Sequence, residues 1–304
     1  MGQSAYEQIV ALATEEETLE KSAVYLASQL GRFLRKKERV LICFLDHHRG
    51  GLGWLMEQAV IRCGAVPEIW GPERTWKRLL QQAFFSRAGT IIAPPLIILG
   101  LTKLQRHSGT PLYIRNVVTA GYPCLDWMIE GIVAGLDCRT WGCFGLGTTG
   151  VVAGFSCGQS LGVHLREEDY GVEIVDAGGE SLPDGEMGQI VLYPRDHPEL
   201  RCSMSELGRM EKSPCPCGSA APRLMDIQPG TAVEEDIALL GQQLHSWSSV
   251  LDCRLIRGEY GLELEMVVFP GEKLPKLPSV AKQVIRPWNP QSDGPLWYIP
   301  AGKE

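Results

Sequence analysis

No apolar run in this 304-residue sequence is long enough to cross a bilayer. The most hydrophobic, Thr90 to Leu101, is interrupted by Pro94-Pro95, and a spanning helix needs about 20 apolar residues. The opening MGQSAYEQIV lacks the basic-then-apolar order of a secretion signal. Together these absences predict a cytoplasmic protein with no membrane partner. Basic charge is scarce too: 29 Lys and Arg stand against 36 Asp and Glu, for a net charge of −7. Arg35-Lys36-Lys37 is the only compact basic run and reads as a solvated helix end, so no nucleic-acid partner is expected. Internal repeats are missing as well, which excludes a solenoid. Cysteine is not scarce. Ten thiols in a chain without a secretion signal read as buried residues and metal ligands rather than disulfides.

What is present is an ordinary globular composition with alternating strand and helix patterns. Thr14-Glu-Glu-Glu17 has the form of a capping box opening a helix with Leu19, Ala23, Leu26, Ala27 and Leu30 on its apolar face. The continuous apolar run Val40 to Leu45 suits a strand covered on both faces. Helices are predicted over Gly53 to Cys63, Thr75 to Phe85, Leu96 to Arg106 and Leu125 to Ala134. Strands are predicted at 64–70, 89–95, Asn116 to Ala120 and 137–144. This alternation gives an α/β layer with a mostly parallel sheet. From Gly162 the pattern changes to short strands with turn punctuation, a small antiparallel β meander. A helix at Thr231 to Trp247 and strands at Val250 to Ile256 and Leu262 to Phe269 then form a small α+β C-terminal appendage, with an irregular tail from Pro270. The expected divisions are 1–160, 161–228 and 229–304.

The stretch Trp141 to Cys157, WGCFGLGTTGVVAGFSC, places a Gly-rich turn after a strand and ends on a potential metal ligand. Cys157 and His164, with the knuckle Cys215-Pro-Cys217-Gly, supply three thiolates and an imidazole. That set satisfies tetrahedral Zn²⁺ with no open position, a structural site. The alternative is four unconnected reduced residues. Glu167, Glu168 and Asp169 are either outer partners of the His164 ring or a solvated turn. His47-His48 and Arg49 lie in a loop after a buried strand. His48 is a weak catalytic candidate, against the alternative of two solvated histidines with no nucleophile to serve.

Three further motifs carry a resemblance in their order and spacing: TAGYPC (Thr119 to Cys124), FGLGTT (Phe144 to Thr149) and GGESLPDGEMGQIVL. They are similar to the Gly-Ala-Glu-Pro turn, the Tyr-Gly-x-Thr-Glu motif and the Gly-Glu-x-Leu-Pro-x-Gly-Glu-x-Gly-Glu stretch of the acyl-adenylate-forming enzymes. The chain resembles the phenylacetate-CoA ligase-like branch over roughly Gly2 to Phe269. Some relatives in that branch also carry a comparable cysteine, a Gly-x-His and a Cys-x-Cys-Gly. The resemblance implies an adenine shelf built from Gly121, Tyr122, Pro123, Phe144, Gly145 and Leu146, with Thr148 beside it and Glu206 accepting from ribose hydroxyls. It also makes AMP or ATP, and CoA, candidate cofactors.

The departures from the family are specific. Thr148 stands where the family holds Mg²⁺ with a glutamate, and hard Mg²⁺ prefers carboxylate and phosphate oxygen. Ser203, in Arg201-Cys-Ser-Met-Ser-Glu206, stands in place of an arginine. The chain opens at what looks like the tail of the family's phosphate-binding loop, with no Ser/Thr-Gly run. Lys303 in PAGKE resembles the family's late catalytic lysine, the alternative being a disordered end. Three functions follow from the resemblance: a zinc-stapled pseudo-ligase binding a carboxylate, a nucleotide or a partner protein; an active acyl-CoA ligase; or a ligase completed by another chain. A homodimer is compatible with each.

Overall fold

The computed structural model describes residues 3–44, 47–71, 73–159, 162–230, 232–259, 261–274, 276, 280 and 282–296. The chain opens with α1 (Ala5–Ala13), whose N-terminus carries a capping box: the Ser4 hydroxyl accepts from Glu7 N while the Glu7 carboxylate accepts from Ser4 N. The box expected at Thr14 to Glu17 is not formed. Helix α2 (Glu16–Leu30) begins from Glu15 without a side-chain cap, because the Thr14 hydroxyl donates backward to Ala11 O and helps close α1. The expected apolar face is present, with Leu19, Ala23, Leu26 and Leu30 all buried.

Next come β1 (Arg39–Ile42), α3 (Leu52–Arg62), β2 (Val66–Ile69), α4 (Trp76–Ser86), β3 (Thr90–Ala93), α5 (Pro95–Ser108), β4 (Asn116–Thr119), α6 (Asp126–Leu136) and β5 (Arg139–Gly145). Strands β1 to β5 pair in parallel in the order β2-β1-β3-β4-β5. Both faces of β1, β3 and β4 are covered, as their near-continuous apolar character requires. Leu41, Ile91 and Val117 point into the layer of α4, α5 and α6, whereas Val40, Ile42, Ile92 and Val118 point into the layer of α2 and α3. Successive side chains on a strand alternate faces, so each of these strands builds two cores at once.

The sheet does not end at β5. Strands β6 (Val152–Phe155), β7 (Val163–Leu165), β8 (Tyr170–Val175), β9 (Gly188–Pro194), β10 (Cys202–Glu211) and β11 (Arg223–Pro229) extend it to 11 strands in the order β2-β1-β3-β4-β5-β6-β7-β11-β10-β9-β8. The antiparallel pattern begins where β5 meets β6, ahead of the change expected at Gly162. The meander thus continues the parallel sheet by hydrogen bonding.

Helix α7 (Ala232–Ser246) packs on a second sheet of β12 (Val250–Gly258), β13 (Gly261–Val268) and β14 (Lys282–Pro287). Strand β14 lies in the tail expected to be irregular. It pairs in parallel with β13 from Glu263↔Lys282 to Val268↔Pro287. Pro287, at the strand end, spared the ladder a missing donor, and the short, almost wholly exposed β14, with only Val284 and Ile285 apolar beside Pro287, gave no alternating pattern to read.

The second sheet rests on α5. Lys103 Nζ donates to Val250 O at 2.7 Å, and the His107 ring stacks on Phe269 at a centroid distance of 3.9 Å. Beneath them Asp252 is buried and accepts from Leu296 N at 2.7 Å and Cys253 N at 2.9 Å. Burial pushes its carboxyl up from 3.8 to about 7, and burial of the Lys103 ammonium brings that group down to about 8. A raised folded-state pKa means that Asp252 contributes stability fully present below about pH 4, lost as pH rises through about 7. The depressed lysine acts oppositely, contributing stability present above about pH 10 that is lost as pH falls through about 8. We therefore expect Asp252 to contribute a decline in melting temperature between pH 4 and pH 7, set against the opposite contribution of His245, whose imidazole burial holds well below its usual value, and Lys103 to contribute a recovery at alkaline pH. Scanning calorimetry of the native chain and of Asp252→Asn checks this: the variant should lose the decline on the acid side.

Candidate functional site

A cleft of about 1230 Å³ opens at the carboxyl ends of β4 and β5. Ligands of open α/β sheets bind at this edge, where strands stop and connecting turns present backbone and side chains to a crevice. One wall is the turn after β4. Its Gly121 takes φ +86°, and a Cβ there would meet the Thr148 methyl at 3.2 Å and Phe44 at 3.3 Å. The other wall is the end of β5 with the turn that follows, and β10 supplies Glu206 from across the opening.

Seven of the eight residues expected from the sequence line this cleft: Gly121, Tyr122, Pro123, Phe144, Gly145, Leu146 and Glu206. Thr148 is displaced behind the wall, its methyl group turned toward Gly121 and its carbonyl accepting from Leu52 N at 2.9 Å. The aromatic roles also shift. Phe144 is only 7% exposed and belongs to the core of the antiparallel half, whereas Tyr122, on the same cleft wall, is 43% exposed. Gly145 is explained by the backbone. A Cβ there would lie inside the van der Waals shell of the Val151 carbonyl oxygen, which crosses over it to accept from Leu146 N at 3.2 Å.

Sequence reasoning missed several lining residues. Tyr6 arrives from α1, Asp126 from the first turn of α6, and Asp226 from β11, where it takes φ +52° and pairs with Arg209. They come from segments far apart in the chain and carry no shared motif. His48 does not line the cleft. It is exposed, with Nδ1 3.0 Å from Arg49 O, and it is His47 whose ring is held, Nε2 lying 2.8 Å from Glu57 Oε2. Lys303 lies outside the described residues.

The cysteine and histidine set does converge. The ligand atoms of Cys157, His164, Cys215 and Cys217 all lie within 4.8 Å of one another. Cys157 Sγ is 3.7 Å from Cys215 Sγ, and Cys217 Sγ is 3.4 Å from His164 Nε2. A tetrahedral zinc with bonds of about 2.3 Å to sulfur requires sulfur–sulfur edges of about 3.8 Å, so the spacing fits. His164 Nδ1 faces Ala221 O at 3.1 Å, which assigns its proton to that nitrogen and leaves Nε2 as the donor atom. The outer partner of the ring is therefore a backbone carbonyl. The acidic cluster is engaged elsewhere, Asp169 with Arg166 and Glu167 with Arg195.

Three elements build this centre. Strand β7 carries His164, the loop after β6 carries Cys157, and the loop between β10 and β11 carries the knuckle, where Gly218 turns at φ +85° and donates to Cys215 O at 2.9 Å. Gln159 N lies 3.4 Å from Cys157 Sγ. Arg32, just past α2, donates to Cys157 O at 2.8 Å while lying over the Trp141 ring, which stacks on Phe33. Ser156, Gly158 and Gln159 of the same loop line the cleft, so the cysteine centre and the cleft share a wall.

No family model and none of the curated proteins matches this sequence. Solved structures do match. A 2-hydroxyisobutyryl-CoA ligase, captured in its postadenylation state with an acyl-AMP, superposes with a TM-score of 0.68 at 16% identity, over 83% of this chain and 59% of that one. An anthranilate CoA ligase in complex with anthranoyl-AMP gives 0.56 at 14% identity, over 88% and 60%. The amide bond synthetase McbA from Marinactinospora thermotolerans gives 0.55 at 15% identity, over 91% and 64%. The chain has the fold of the acyl-adenylate-forming ligases. It spans less than two thirds of the length of each of these three.

Proposed function

We propose that the protein is a zinc-stapled relative of the phenylacetate-CoA ligase-like enzymes that binds a nucleoside monophosphate or acyl-adenylate in the cleft but does not itself form the adenylate. The turn between β5 and β6 carries the reading: it offers no carboxylate to the cleft. Thr148 turns its methyl toward Gly121, and the Thr149 hydroxyl is tied to Leu146 O at 2.6 Å. Without a carboxylate at that turn, a magnesium ion at the α-phosphate loses a hard ligand, and phosphoryl chemistry depends on such charge neutralisation. Binding has what it needs. Tyr122 supplies a planar face, Glu206 an acceptor for ribose hydroxyls, and the fold a cleft of about 1230 Å³ with room for a nucleotide and an acyl group.

The metal in this reading is zinc, held by Cys157, His164, Cys215 and Cys217. With four protein ligands it has no open position and acts as a cross-link between three segments of the β half. The loop it fixes forms one side of the cleft, so its role is to shape the binding wall. A second reading, a ligase completed by further chain, is favoured by the chain spanning 59% of the ligase with the highest TM-score above. In that case the carboxylate missing from the turn would have to come from the added segment.

Calorimetry with adenosine, AMP and ATP separates the two. In the cleft, read as the part of the binding heat that Tyr122→Ala removes, adenosine and AMP should bind more tightly than ATP, and that variant should weaken both by about tenfold, the equivalent of about 1.4 kcal/mol. A pyrophosphate-release assay over aryl and short-chain acids should show no acid-dependent turnover. Release well above that of a Thr148→Ala control would overturn the pseudo-ligase reading in favour of an active ligase.

A further inference from the structure

At the opposite end of the parallel sheet from the cleft, the amino ends of β1, β3 and β4 frame a second depression of about 550 Å³. Six cations surround it: Arg35, Lys36, Lys37, Arg39, Arg87 and Arg115. The basic run that reads as a solvated helix end is thus joined in space by two arginines from other connections. This occurs in a chain of net charge −7, so the patch is a local inversion of the protein's field.

The charge balance is uneven. Arg39 pairs with Glu68, and Arg115 lies 3.4 Å from Glu38. The Glu38 carboxylate is consumed internally, accepting from Thr90 Oγ1 at 2.8 Å and from Arg35 N at 3.1 Å, with its side chain 5% exposed. Arg35, Lys36, Lys37 and Arg87 have no carboxylate partner among the described residues. The floor is Gly89, where a Cβ would collide with the Arg115 guanidinium and the Glu38 carboxylate.

Two of the four uncompensated cations sit where L-residues are disfavoured. Lys37 has φ +64°, and Arg87 caps α4 with φ +50°. A helix C-terminus of this kind ordinarily takes glycine or asparagine, and non-glycine residues held in that region cluster at functional positions. Beside Arg87, Phe85 is 76% exposed, an aromatic face presented to solvent next to clustered positive charge.

We propose that this depression is a binding site for a small organic polyphosphate, with two or more phosphoryl groups among Arg35, Lys36, Lys37 and Arg87 and a planar base against Phe85. Its volume falls within the range of small-ligand sites, roughly 300 to 1,000 Å³, and the cations gathered in it from separate connections suit a compact, multiply charged molecule. Multiple unpaired cations select for multiple charge. The exposed ring selects a nucleoside polyphosphate over the inorganic ion, since ring stacking is available whatever the base. This inference is independent of what the carboxyl-end cleft binds.

Titration calorimetry of the full chain tests it, with inorganic tripolyphosphate, pyrophosphate and ADP as probes. We expect one tripolyphosphate per chain, with affinity falling as salt rises. Affinity should drop by about tenfold or more in Lys36→Glu/Arg87→Glu and stay unchanged in Tyr122→Ala, which alters only the other cleft. In the Tyr122→Ala background, where the other cleft's hold on adenosine is weakened, ADP should bind more tightly than pyrophosphate, and adding Phe85→Ala should erase the difference. Arg87→Gly is the decisive variant. It relaxes the left-handed backbone, so the melting temperature should hold or rise while tripolyphosphate affinity falls. An Arg87 kept only for structure would show no affinity change. Absence of saturable binding, equal affinity in the charge-reversal variant, loss of tripolyphosphate binding in Tyr122→Ala, or preference for an oligoglutamate peptide or phosphatidylserine vesicles would overturn the proposal.

Discussion

A Cys215→Ser/Cys217→Ser variant should be purified without bound metal and should be less stable than the native chain by more than about 4 kcal/mol, a loss of the size reserved for removed metals, disulfides and buried networks. The native chain should carry one zinc, measured by elemental analysis of protein purified without added metal. The size of the effect follows from what the cluster joins. Cys157, His164 and the knuckle belong to three separate segments of the antiparallel half. Two of the sulfurs are buried, Cys157 at 2% exposure and Cys215 at 5%. Without a cation, thiolates this close repel one another, so the apo cluster must take up protons and gives up its cross-link. Because the Cys157 loop also lines the cleft, chelation should weaken AMP binding before it unfolds the parallel half. Retention of one full equivalent of zinc by the double variant would rule out this ligand set.

The second large effect is expected at Gly145. Gly145→Ala should destabilise the chain by about 3 kcal/mol or more, since an added methyl group meets backbone that cannot rotate away. The obstacle is the Val151 carbonyl, already fixed by its bond from Leu146 N. To admit a side chain the β5–β6 connection must open, which breaks the pairing of Gly145 with Val152 and moves Phe144 out of its core. Thermal denaturation checks this, with Tyr122→Ala as the contrast. That residue is exposed, so its truncation should cost stability within about 0.5 kcal/mol while reducing ligand binding. If Gly145→Ala melted like the native chain and lost only ligand, the glycine would have to be assigned to the ligand instead.

The alternation of apolar runs with turn residues was sufficient for the α/β layer and for nearly every helix in it, because a strand covered on both faces leaves a continuous apolar signature. Short-range chemistry was also legible: the knuckle Cys215-Pro-Cys217, the pair Cys157 and His164, and the order of the three Gly-rich motifs. What failed were choices between local partners of similar energy. The Thr14 hydroxyl had two helix ends within reach and closed α1, and β14 carried too little apolar character to be seen before β13 was in place to pair with it.

Roles within the site divide in the same way. The sequence by itself determined the α/β layer and the four side chains able to hold a metal, because both depend on residue types at short, regular spacing. Only the tertiary structure decided that the meander continues the parallel sheet, that Phe144 is buried in the antiparallel core while Tyr122 stays exposed on the cleft wall, and that Arg87 and Arg115 join the run Arg35-Lys36-Lys37. Each of these depends on which distant backbone lies alongside, as Val151 lies over Gly145, and spacing along the chain carries no record of that.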